Sequence, residues 1–103
     1  MEMIEYDEKT GIKKEVLKQI CEIAKKNKIE KVILFGSRAR GDYHETSDID
    51  LATTGGLHAR FATDVDEFTS TLLMYDVVDL DGTVQEALRE SIRKEGRIIY
   101  EKI

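Results

Sequence analysis

The stretch KVILFGSRARG over 31–41, followed by SDIDL over 47–51, decides the fold and the chemistry of this chain. Its opening apolar run predicts a buried strand over 31–35 that ends at Gly36. The segment 48–53 alternates polar and apolar residues, which predicts a second strand with one buried face. A strand that ends in glycine before a helix start is a typical anion site, because free backbone N–H groups point at the ligand there.

Asp48 and Asp50 form a carboxylate pair on the second predicted strand. Residues two apart on a strand point to the same side, so the two acids repel each other unless a cation or a shared proton intervenes. Oxygen-rich sites of this kind suit Mg²⁺ or Mn²⁺. If the strands over 31–35 and 48–53 are neighbours, the glycine bend and the carboxylate pair lie at one edge of the sheet.

A third carboxylate on another strand would complete a two-metal site, in which one metal activates a hydroxyl and the other holds the leaving pyrophosphate. We predict that Asp79, on a strand over 75–80, supplies this group. Asp76 is a competitor, but it lies an odd number of residues from Asp79 and so on the opposite face. Asp81 is the other competitor, and its place beside Gly82 favours a turn.

The remaining segments predict further helices. Apolar residues recur at helical spacing over 12–26, where Thr10 is a candidate N-cap, and again over 57–73. Thr83 and Glu86 have the spacing of a capping box at the start of a last helix. The segment 97–103 fits a closing strand.

This order of elements predicts one α/β (α+β) domain, with a small mixed sheet and helices mainly on one face. We expect 1–11 to form an N-terminal arm and 12–103 to form the single domain. Too few residues remain outside the predicted elements to form a second, acceptor-binding domain.

Composition excludes several classes of protein. The net charge of −5 argues against direct binding of nucleic acid or an anionic membrane. No apolar run approaches a membrane span, and no signal-peptide pattern is present, so we expect a cytoplasmic protein. Cys21 is the lone cysteine, which rules out an internal disulfide and argues against structural zinc.

The joint pattern of 36–41 and 47–51 resembles the signature of the minimal nucleotidyltransferases (MNT), in the DNA polymerase β-like nucleotidyltransferase superfamily. Val78-Asp79-Leu80 and the segment 95–101 also resemble strands of that family. The resemblance implies a palm-like fold, binding of a nucleoside triphosphate such as ATP, and two Mg²⁺ ions. It further implies transfer of a nucleoside monophosphate to a hydroxyl, with release of pyrophosphate.

The resemblance also implies roles for individual residues. The acids implied to hold the metal ions are Asp48, Asp50 and Asp79. The residues implied to hold the triphosphate are Gly36, Ser37 and Arg38. Asp79 would in addition help to deprotonate the acceptor.

Several roles stay open at the level of sequence. Arg40 fits either a phosphate contact or a pair with an acidic surface residue, and Ser47 fits either a turn cap or a phosphate contact. His44 and His58 are expected at the surface. Tyr43 fits either stacking on a base or packing.

Members of this family commonly pair with small helical HEPN proteins in toxin–antitoxin systems. The resemblance therefore implies an antitoxin that adenylylates a tyrosine of a HEPN ribonuclease, with an oligomer also possible. One alternative is a non-catalytic antitoxin that acts by complex formation, and another is transfer to a small molecule. Three converging acids favour the enzyme, and the absence of a predicted acceptor domain disfavours the small molecule.

Overall fold

The computed structural model describes residues 6–102, where helices and strands alternate along the chain. The helices are α1 (Lys14–Lys26), α2 (Ser37–Arg40), α3 (His58–Phe68) and α4 (Glu86–Glu95). The strands are β1 (Lys31–Phe35), β2 (Ile49–Thr54), β3 (Tyr75–Asp79) and β4 (Arg97–Glu101). The predicted order of elements is confirmed. Residues 1–5 of the predicted arm lie outside the described residues.

The strands form a mixed sheet in the order β3-β2-β1-β4. β1 runs antiparallel to both β2 and β4, whereas β2 and β3 run parallel. A parallel pair needs a crossover, and α3 provides it. The carboxyl end of β1 therefore meets the amino ends of β2 and β3 at one edge of the sheet.

Helices cover both faces of the sheet unequally. Val32 and Leu34 of β1 pack with α1, α2 and α3 in the main core, whereas Ile33 and Phe35 face Ile92 of α4. The prediction of helices mainly on one face is confirmed, with α4 alone on the other among the described helices. Within residues 6–102, no helix has the length and apolar character needed to cross a bilayer.

Two helix starts differ from those predicted. Lys13, not Thr10, is the N-cap of α1, and the Thr10 hydroxyl instead donates to Asp7 at 2.7 Å. The capping box does not form, because α4 begins at Glu86 itself, with Gln85 as its N-cap and without a side-chain cap hydrogen bond. Both misassignments follow from a spacing that fits a cap but does not fix where the helix begins.

Candidate active site

The bend after β1 is in contact with the carboxylate pair. Gly36 has φ 74° and ψ −157°, a conformation essentially restricted to glycine. A Cβ at this position would collide with the Oδ2 atom of Asp50. The Ser37 hydroxyl, at the start of α2, has no hydrogen-bond partner within residues 6–102. Glycine thus lets the bend and a carboxylate approach closely, leaving a hydroxyl donor free beside them.

Asp50 lies between β1 and β3. Its register partners are Phe35 on β1 and Asp76 on β3. Asp50 and Asp76 share the face of Ala52, which packs against α4. Burial, then the charges of Asp76 and Asp48, raise the pKa of Asp50 to about 6, and only Arg40 opposes this shift among the described residues.

The third carboxylate at this edge is therefore Asp76, and the prediction of Asp79 is wrong. Asp79 pairs with Thr53, three residues further along β3, and lies on the opposite face of the sheet. Its Oδ1 accepts a hydrogen bond from the backbone N–H of Asp81 at 3.0 Å. Asp81 in turn accepts from the N–H of Gly55 at 2.6 Å. Asp79 and Asp81 therefore organise turns at the far end of the sheet.

The donor set at the edge suits a hard divalent cation. Asp48 and Asp76 both act on the carboxyl of Asp50, and Arg40 alone counters them, so negative charge is under-compensated there. A cation of the Mg²⁺ type prefers such carboxylate oxygens. In the described part of the chain, no three His, Cys, Asp or Glu side chains are already arranged to hold a metal ion. The residues that would hold one are Asp48, Asp50 and Asp76.

Arg38 is buried and its guanidinium is bonded to backbone carbonyls, which contradicts its predicted role in phosphate binding. The side chain is only 1% exposed and lies 4.8 Å from the centroid of the Tyr43 ring. Its guanidinium donates to backbone carbonyls of Thr10 (2.8 Å), Ser47 (3.0 Å), Glu45 (3.1 Å) and His44 (3.4 Å). Arg38 is thus a positioning residue that holds the loop before Asp48. Tyr43 packs on this side chain and over Gly11, which favours packing over stacking on a base.

The other open residues have defined surroundings. Ser47 caps the turn before Asp48, because its hydroxyl accepts the N–H of His44 at 2.7 Å. His44 is exposed, as expected. His58 is half-buried, and its Nδ1 lies 2.8 Å from the hydroxyl of the buried Thr53, so it is less exposed than expected. None of these contacts directs a histidine toward the carboxylates.

Arg40 pairs with acidic residues. Its Nε lies 3.3 Å from Asp42, and its Nη1 lies 3.0 Å from Glu95 at the end of α4. Arg40 also acts on Asp50, whose pKa its charge lowers. The sequence allows Arg40 either a phosphate contact or a pair with an acidic surface residue. The structure shows the ion pairs, close enough to Asp50 for the charge of Arg40 to act on it.

Known proteins are similar to this chain in sequence. A family model described as "Polymerase beta, Nucleotidyltransferase" matches residues 18–103. A Methanocaldococcus jannaschii protein named "Putative protein adenylyltransferase" is 35% identical over 85 residues, which span 73% of this chain and 82% of that protein. Another protein of that organism, also named as a putative protein adenylyltransferase, is 53% identical over 51 residues, or 50% of this chain and 44% of that protein.

Solved structures share the fold. One, described as a toxin–antitoxin with AMP-PNP, superposes with a TM-score of 0.69 at 22% identity, over 84% of this chain and 73% of that chain. Another, from Shewanella oneidensis, has a TM-score of 0.64 at 15% identity, over 86% of this chain and 72% of that chain. At these identities the likeness extends to the fold alone.

Proposed function

The chain belongs to the polymerase beta nucleotidyltransferase family, and on this premise we propose that it transfers AMP from ATP to a hydroxyl of a partner protein. Membership in the family confirms the predicted fold and the general activity of a nucleotidyltransferase. The observation that carries the finer proposal is the meeting of Gly36, Asp50 and Asp76 at one sheet edge.

Each part of the edge has one task in the reaction. The bend at Gly36 and Ser37 binds the triphosphate through backbone N–H groups and the free hydroxyl. Arg40, the nearby cation, compensates phosphate charge. Asp48, Asp50 and Asp76 would hold the two Mg²⁺ ions. Magnesium bound there would neutralise phosphate charge and make the acceptor hydroxyl more acidic.

Asp76 takes the role first predicted for Asp79. It lies on β3, an edge strand of the sheet, so an acceptor can approach it from outside. In the transfer, the acceptor oxygen bonds to the α-phosphorus as the bond from that phosphorus to the bridging oxygen breaks. Pyrophosphate leaves, and the hydroxyl proton passes to a carboxylate oxygen of Asp76.

A protein acceptor is supported by the surface beside this strand. Leu72 and Met74 lie in the segment between α3 and β3, and both are exposed, Met74 to 65% and Leu72 fully. Large exposed apolar side chains beside a site are typical of a protein-binding surface. The relatives named as protein adenylyltransferases and the toxin–antitoxin neighbour support the same proposal. We therefore propose a small helical HEPN ribonuclease in the cytoplasm as the acceptor.

Matched substitutions on β3 test this function. The protein is incubated with Mg²⁺, ATP labelled at the α-phosphate, and a candidate HEPN partner. Label should pass to the partner and fall by at least about 100-fold in Asp76→Asn, because a proton acceptor and metal ligand is lost. Asp79→Asn removes the same charge from the same strand and should retain transfer within about three-fold.

Other outcomes would separate the alternatives. If Asp79→Asn abolishes transfer and Asp76→Asn does not, the assignment of Asp76 is wrong. If the unsubstituted protein neutralises its partner without ATP, and the Asp76→Asn variant does so equally well, the protein acts as a binding antitoxin. Label on a small hydroxyl compound in the absence of any partner would instead favour a small-molecule transferase.

A further inference from the structure

Two carboxylates contact Arg40 in the structure. Its Nε faces Asp42 at 3.3 Å and its Nη1 faces Glu95 at 3.0 Å. The side chain is 44% exposed, and its Nη2 has no hydrogen-bond partner within residues 6–102. The guanidinium can therefore exchange partners from the solvent side without disturbing the core.

The two carboxylates differ in what they connect. Asp42 lies two residues from Arg40, on the loop that follows α2, whereas Glu95 is 55 residues away and is the last residue of α4. The contact with Glu95 thus joins α2, which follows the bend at Gly36, to α4 on the other face of the sheet. It is also the shorter of the two contacts with Arg40, at 3.0 Å against 3.3 Å.

A triphosphate at Gly36 and Ser37 would lie at the start of α2, and Arg40 is the last residue of the same four-residue helix. The triphosphate carries several negative charges, whereas Glu95 carries one, so it is the stronger partner for a guanidinium. An Arg40 guanidinium that turns toward phosphate gives up its contact with Glu95, and where that contact persists, the charge of Glu95 offsets part of the positive charge offered to phosphate.

We propose that Glu95 competes with the polyphosphate of the nucleotide for Arg40, and so lowers nucleotide affinity and couples nucleotide binding to release of the end of α4. This inference rests on the proposed function, because it needs a polyphosphate at the bend. Glu95 touches no reacting atom and acts only through Arg40. It is an affinity-determining residue.

The same helix offers a matched control. Glu90 pairs with Arg93 on the exposed surface of α4, as Glu95 pairs with Arg40. Glu90→Gln and Glu95→Gln change the net charge equally and each breaks one exposed ion pair. A difference between them therefore reports the competition for Arg40 and not the general charge of the protein.

The experiment measures binding of Mg-ATP and of inorganic triphosphate with Mg²⁺ by calorimetry at low salt. Glu95→Gln should bind both about two- to five-fold more tightly than Glu90→Gln, the range expected when one exposed ion pair is removed. The gain should shrink at high salt, because screening weakens exposed charges. A purely structural role for Glu95 would give weaker binding in Glu95→Gln.

A second variant tests the route through Arg40. In an Arg40→Gln background, Glu95→Gln should give no further change in affinity for inorganic triphosphate. Equal affinities for Glu95→Gln and Glu90→Gln, or a gain that persists without Arg40, would overturn the inference while leaving the proposed function intact. If the unsubstituted protein binds neither Mg-ATP nor triphosphate, the proposed function fails and this inference fails with it.

Discussion

At the scale of single residues, Gly36 links the backbone conformation of the bend to the placement of Asp50. Gly36→Ala forces a side chain into positive φ and against the Asp50 carboxylate. We expect a loss of about 1–3 kcal/mol in the free energy of unfolding, measured with urea, together with loss of nucleotidyl transfer.

Gly41 provides the control for this prediction. It also has positive φ, at 96°, but an added Cβ would meet no atom within 4 Å. Gly41→Ala should therefore show the backbone strain without displacing a carboxylate, and transfer should survive in the fraction that folds. Loss of transfer in both variants to the same degree would mean that contact with Asp50 is not what Gly36 provides.

At the scale of elements, short apolar runs were predicted better than helix ends. β1 has the predicted bounds, because a short apolar run such as KVILF that ends at a glycine has few alternatives. The predicted helix 57–73 instead ends at Phe68, since Leu72 continues the apolar spacing yet is fully exposed. Periodicity marks the side chains that could be buried, and only packing decides which of them are.

The register of β3 beside β2 could not be predicted for the same reason. The sequence shows that Asp76 and Asp79 occupy opposite faces, but not which of them lies beside Asp50. That choice depends on the length of the crossover through α3 and the loop after it. The structure pairs Asp50 with Asp76 and buries Arg38, and the sequence pattern alone fixes neither placement.

The junction of α3 and β3 has a measurable signature in Tyr75. Its hydroxyl lies 2.8 Å from that of Thr69, just after α3. Burial raises the pKa of Tyr75 to about 12, with a smaller contribution from Asp66 and with the Thr69 hydrogen bond opposing the shift. The folded state therefore disfavours the phenolate, and this contribution to stability is present below the unfolded pKa of about 10 and lost as pH rises through about 12.

Comparison with Tyr75→Phe isolates this effect. The free energy of unfolding is measured in urea at about pH 8 and about pH 11. Between these values, the unsubstituted protein should lose about 1 kcal/mol more of it than the variant does. The other tyrosines and the lysines titrate in both proteins, so their contribution cancels. An equal loss in the two proteins would show that Tyr75 ionises with an ordinary pKa.

At the scale of the whole molecule, the acids at the sheet edge, Asp48, Asp50 and Asp76, lower the stability of the fold near neutral pH. In the metal-free protein, burial, Asp76 and Asp48 raise the pKa of Asp50 to about 6. The folded state therefore favours the protonated carboxyl of Asp50. This contribution to stability is complete below the unfolded pKa of about 4 and is lost as pH rises through about 6. Near neutral pH the fold therefore contains a charge that it disfavours.

Asp50→Asn should relieve this cost and abolish transfer at the same time. In chelator at about pH 7.5, we expect the variant to be more stable by about 1 kcal/mol, a figure reduced because the carboxyl is partly exposed to solvent. Mg²⁺ should raise the melting temperature of the unsubstituted protein, since a ligand of the native state stabilises it by mass action, and should do so much less for Asp50→Asn. Equal stability in chelator would mean that the three acids do not destabilise the fold, and an equal response to Mg²⁺ would place the metal elsewhere.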